Sequence, residues 1–209
     1  RLWLEFPDLP VVVETYLTLS DKLLTLAPHA HEVPGLVASG LGRAELTKAG
    51  IDLLQRLLTL YHADPLAPEA GLNLVAAYLD LEDFDTGVTL AQEMAGRFEK
   101  PRFQDAFRYS EAVAQWYMGE DDQAVRTLRG ISDAMYQAPN GAMVQSENRD
   151  LALYILAQIH HARRKFSEAA EYYEQVATIF PDARDVLDGF KAKQIALDEV
   201  TEVRPGKTA

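Results

Sequence analysis

From residue 9 to residue 194 the apolar positions of this chain recur with the spacing of one helix face, not with the alternation of a strand. Leu72, Val75, Ala76 and Leu79 form one stripe. Ala112, Val113, Trp116 and Tyr117 form a second, and Leu153, Leu156, Ala157 and His160 a third. Residues three and four apart share a helix face, so each stripe predicts an amphipathic helix with one buried side. Upstream, the pattern predicts helices over residues 9–26, 31–39 and 43–62. Gly119 falls between two helical stretches, where a left-handed backbone costs glycine little. Asn140-Gly141 is the turn of a long connection over 139–148. A polar capping helix is expected over 182–194, with Asp185, Asp188, Lys191 and Lys193 turned to solvent.

The helices come in pairs, and the pairs repeat. In Asp150–Pro181 the first helix carries Leu153, Leu156, Ala157 and His160, and the second carries Ala169, Tyr173 and Val176. Pro181 closes the unit by stopping the second helix. Ala157 and Ala169 are small where two helices would cross closely; Leu156, Phe166 and Tyr173 are large and would fill the space around the crossing. This unit resembles a tetratricopeptide (TPR) repeat, with His160 where an aromatic or large apolar residue is usual. Looser copies lie at 68–101 (Leu74, Val75, Tyr78, then Phe84, Gly87, Ala91, Met94) and 105–138 (Ala112, then Ala124, Leu128, Ile131). The anchors Gly87, Ala124 and Ala169 stand 37 and 45 residues apart. A degenerate copy spans 43–67, with Leu53, Leu57, Leu60 and Pro65 on its second helix and Gly35, Gly40 and Gly42 interrupting its first. The resemblance implies an all-α fold. It would be a right-handed α-solenoid of antiparallel helix pairs, about three to four repeats plus the cap, in one array through residue 194.

Charge narrows the partners. With 20 Lys+Arg against 32 Asp+Glu the net charge is −12, which argues against nucleic acid and anionic lipid, both of which need a basic face. The absence of cysteine excludes disulfides, thiolate metal sites and cysteine nucleophiles. No stretch has the apolar length of a membrane span.

Candidate chemistry is sparse, and no cofactor is expected. His160 and His161 are helix neighbours pointing about 100° apart, so they cannot grip one metal together. His29 and His31, beside Glu32 in a proline-flanked loop, read as a solvated turn before a weak metal site, and His62 stands alone. Phosphate-loop, dinucleotide, nucleophile-elbow and zinc-protease motifs are missing; Gly40-Leu41-Gly42 lacks a third glycine. Asp80, Glu82, Asp83 and Asp85, and then Glu120, Asp121 and Asp122, sit where acids suit the start of a helix. The chain is therefore expected not to be an enzyme.

The TPR resemblance implies that the first helix of each pair, helix A, lines a concave groove. By position this names Leu72, Ala76 and Leu79; Tyr109, Val113 and Trp116; and Leu151, Tyr154, Gln158 and His161. Tyr109, Trp116 and Tyr154 are either groove anchors or packing against a neighbouring repeat. These positions lack the cations that clamp acidic peptide tails, so an apolar or helical segment is the expected ligand, with a basic rim facing the acidic turns. Two functions remain open: a non-catalytic protein-binding scaffold, or a structural spacer in a large multidomain bacterial envelope or secreted protein. The spacer reading rests on residues 195–209, where Val200, Thr201, Val203 and Pro205-Gly206 resemble an extended lead-in to a β-sandwich. A start at Arg1 without Met reads as an excised module, with Trp3 covering the first helices or facing a further domain.

Overall fold

A computed structural model describes the backbone of residues 10–202 and the side chains of residues 11–193. Trp3, Val203 and Pro205-Gly206 lie outside the described residues. The expected helical pairs are present, and the compact units divide after Ala114, inside the helix Pro101–Tyr117.

The first unit contains α1 (Pro10–Leu26), α2 (Pro34–Ala38), α3 (Arg43–Leu60), α4 (Ala67–Asp80), α5 (Phe84–Arg97) and the start of α6 (Pro101–Tyr117). Helix α3 packs on α1 and on α4, and α4 packs on α5. Leu54, Leu57, Val75, Ala91 and Phe107 are fully buried at the centre of this core. Two expectations change here. The helix expected over 31–39 is instead a 3-10 turn, Ala27–Glu32, followed by the five-residue α2. Pro28 and Pro34 each open a new turn, as proline does where its missing N–H costs nothing. The helix paired with α3 is thus α1. Leu60 is 63% exposed, because α3 ends there and Tyr61 turns inward against Tyr16 (ring centroids 6.4 Å apart).

The second unit holds the end of α6, then α7 (Asp121–Ser132), strands β1 (Met135–Gln137) and β2 (Met143–Gln145), α8 (Arg149–Ala162), α9 (Phe166–Val176) and α10 (Pro181–Glu202). Helix α8 packs between α7 and α9, and α10 packs on α9. Pro181 is the first residue of α10, so the chain stops α9 and starts its cap at one turn. Asp185, Asp188, Lys191 and Lys193 are exposed. Helix α10 runs on to Glu202, so Val200 and Thr201 are helical and not extended. The run Gln194-Ile-Ala-Leu-Asp-Glu199 is rich in good helix formers, which outweigh two β-branched residues.

The repeat is visible as a recurring turn. Glu82 (φ 59°), Gly119 (φ 80°) and Arg164 (φ 59°) are left-handed residues after α4, α6 and α8. Each is followed by a backbone N–H that reaches back five residues: Asp83 to Tyr78 (3.0 Å), Glu120 to Gln115 (2.8 Å), Lys165 to His160 (2.9 Å). That bond caps the otherwise unpaired carbonyls of a helix end. The three turns are 37 and 45 residues apart, the spacing of the sequence anchors. Beyond each turn the next helix buries the same triplet at i, i+4 and i+7: Gly87, Ala91, Met94; Ala124, Leu128, Ile131; Ala169, Tyr173, Val176. The protein is an all-α helical-repeat protein.

Candidate functional site

In the first unit the helix A positions of α4 are divided between packing and exposure. Leu72 and Leu79 lie half-buried against the core, and only Ala76 is open to solvent. Leu79 covers Gly87, where a Cβ would sit 2.7 Å from Leu79 Cδ2, so the leucine is held by the close approach of α5. Tyr109 and Val113 on α6 are half-buried.

In the second unit Trp116 is half-buried, with its ring 5.8 Å from that of the exposed Tyr117. Leu151 is 38% exposed at the start of the α8 stripe. Tyr154 stacks on Phe180 (4.6 Å) and meets the edge of Tyr173 (6.2 Å). Gln158 and His161 come together in a hollow of about 500 Å³, completed by Ala162, Arg164, Phe166 and Tyr173. His161 has aromatic rings on three sides: Phe190 at 5.1 Å, Phe166 at 5.7 Å and Tyr173 at 6.2 Å. Edge-on contacts of this kind stabilise by about 0.5–1.5 kcal/mol each and hold the rings in place.

Phe166, expected among the core, is 49% exposed. It is the first residue of α9, just past the Arg164 turn, and it packs on His161 and Phe190 at the edge of the hollow. Tyr173 is buried, and burial, reinforced by neighbouring Tyr154, pushes its phenol up to about 12. It therefore stays protonated where it lines the hollow.

Beneath this face His160 is buried, with its ring 5.4 Å from Tyr172. Neither ring nitrogen meets a hydrogen-bond partner among the described residues. Burial, with Lys165 and Arg129 nearby, lowers its pKa. Beside it Arg163 donates from Nε to Asp121 Oδ2 and from Nη2 to Asp122 Oδ1, both at 2.8 Å. These hydrogen bonds, with the Arg163 charge, lower the Asp122 pKa and raise that of Arg163. One acidic cluster is thus a tie between α7 and the end of α8. In the other, Asp83 caps α5 by accepting from Thr86 N (3.3 Å).

His29 and His31 flank Glu32 at 3.4 and 3.6 Å on an exposed turn. No group of three or more His, Asp or Glu residues is placed to hold a metal ion among the described residues. No helix there is long and apolar enough to cross a membrane.

Phe180, Phe190 and Arg164 were not among the expected site residues. Phe180 and Phe190 belong to the α9–α10 join and the cap, outside the helix A positions. Phe190, the one aromatic in the sequence of α10, was the available signal.

No family model matches the chain, and no curated protein does. Among solved structures, a crystal structure of MamA matches with a TM-score of 0.53 and 18% identity, covering 77% of this chain and 85% of that one. A second MamA protein structure matches with a TM-score of 0.53 and 15% identity, covering 96% of this chain and all of that one. At such identities the likeness is one of fold, and this chain is similar to MamA in its TPR-like arrangement of helix pairs.

Proposed function

We propose that this chain is a non-catalytic protein-interaction scaffold that holds an apolar or helical protein segment against its helix A faces. The open hollow around His161 carries the reading. Its aromatic walls are fixed by mutual contacts, one of them stands half-exposed, and Gln158 and Arg164 supply polar groups at its edge. Fixed aromatic area with a few polar groups is what a protein anchor requires. In the second unit the contact residues are Tyr154, Gln158 and His161, with Leu151 continuing their stripe and Trp116 on α6. In the first unit they are Leu72, Ala76, Leu79, Tyr109 and Val113, with Ala76 the open position.

One side chain seated in the hollow stabilises by about 1.5–3 kcal/mol. Association itself costs about 4 kcal/mol or more. A ligand therefore needs several anchors, which favours an amphipathic helix over a single residue. The net charge of −12 favours basic residues on its outer face.

Selection from a random library of helical peptides tests the reading. Bound peptides should carry apolar anchors three and four residues apart and lose about tenfold in affinity against Phe166→Ala. Peptides that bind Phe166→Ala and the wild type equally would overturn this site.

A further inference from the structure

Between α7 and α8 the chain builds a small antiparallel hairpin. Its register sets Tyr136 opposite Val144, flanked by Met135–Gln145 and Gln137–Met143. Ala138 N donates to Ala142 O (2.8 Å) and Ser146 N donates to Ala134 O (3.3 Å). Alternation along the ladder then makes Tyr136–Val144 a hydrogen-bonded pair and turns the N–H and C=O of Met143 and Gln145 outward from β2. All of β2 is exposed, with Met143 at 58% and Val144 at 45%. Open edges are normally protected by charged residues, by a bulge or by being very short, and of these β2 has only its three-residue length. Here residues 134–146 contain no Asp, Glu, Lys or Arg, in a chain of net charge −12.

We infer that β2 is a docking edge for a second copy of this chain, pairing antiparallel with its own counterpart about a two-fold axis at Val144. The outward groups of Met143 in each copy meet those of Gln145 in the other, and two hairpins become one four-stranded sheet. On the two-fold axis Val144 meets its own counterpart while Met143 and Gln145 meet each other reciprocally, so a charge at the axis would face itself. Two copies of so acidic a chain repel elsewhere, and the uncharged stretch is where they approach at least cost. The hairpin also gains, because two strands alone are marginally stable and a wider sheet is not. None of these residues belongs to the His161 hollow, so either proposal can fail without the other.

The chain has no cysteine, so Val144→Cys gives one thiol per copy and any disulfide must join two copies. Across the axis the two Cβ atoms would be about 4.5–5.5 Å apart, at the edge of disulfide reach. Under mild oxidation Val144→Cys should form covalent dimer about tenfold faster than Val37→Cys, although Val37 is the more exposed position (59% against 45%). By sedimentation the wild type should form a reversible dimer, weakened about tenfold by Val144→Lys, with the far-ultraviolet circular dichroism unchanged. Equal oxidation rates, a wild type that stays monomeric up to about millimolar concentration, or capture of a foreign strand by β2 without self-association would each overturn the proposal.

Discussion

Glu82 and Arg164 hold a left-handed backbone that glycine adopts freely and that an L-residue adopts at a cost of about 1–2 kcal/mol. The third turn has the cheap solution, Gly119. Glu82→Gly should therefore stabilise the protein, net of glycine's greater unfolded freedom, by about 0.5–1 kcal/mol, and Gly119→Ala should destabilise it by about 1 kcal/mol. Urea midpoints at constant slope measure both. His160 makes a second prediction at this scale. Burial, with Lys165 and Arg129 nearby, depresses its pKa below the ordinary imidazole range in the folded state, so the neutral ring is favoured there. The associated stability is complete above the unfolded value and is lost as pH falls from there through the lower folded value, because the unfolded state takes up the proton first. The urea midpoint of the wild type should fall more between about pH 7.5 and 5.5 than that of His160→Phe. Parallel curves would remove His160 as the cause.

At the scale of elements, α7 and α8 are tied by Arg163, whose fork spans Asp121 and Asp122. A double-mutant cycle of Arg163→Gln with Asp121→Asn should give a coupling of about 0.5–1 kcal/mol that shrinks in high salt. No coupling would make the contact incidental. The helices were largely legible in the sequence because their apolar spacing is set by burial, as at Ala169, Tyr173 and Val176. The turns were legible at Gly119 but hidden at Glu82 and Arg164, where geometry overrides residue preference. Of the hairpin, only the turn at Asn140-Gly141 is legible in the sequence. Its strands are three residues long and exposed, so they leave no pattern of burial to detect. In the tail the local preference of Val200 and Thr201 for extended backbone is overridden, because a helix already running from Pro181 continues through them.

For the whole molecule, the negative charge has identifiable uses: Asp83 caps a helix, and Asp121 and Asp122 bind Arg163. The hollow on which the proposed site rests was legible in part. The helix A rule named Gln158 and His161, which do meet in one hollow, and missed Phe180 and Phe190, which shape that face from outside the repeat pattern. It could not separate packing from exposure, as Leu79 against Gly87 shows. The central claim is that the His161 face holds an apolar helical segment of another protein. The most direct measurement is a titration of the isotopically labelled chain with an amphipathic, basic-rimmed helical peptide, followed by amide chemical shifts. Saturable shifts concentrated at Gln158, His161, Ala162, Arg164 and Phe166, and abolished by Phe166→Ala, are the predicted result. Shifts confined to other surfaces, or the same shifts in the variant, would contradict it.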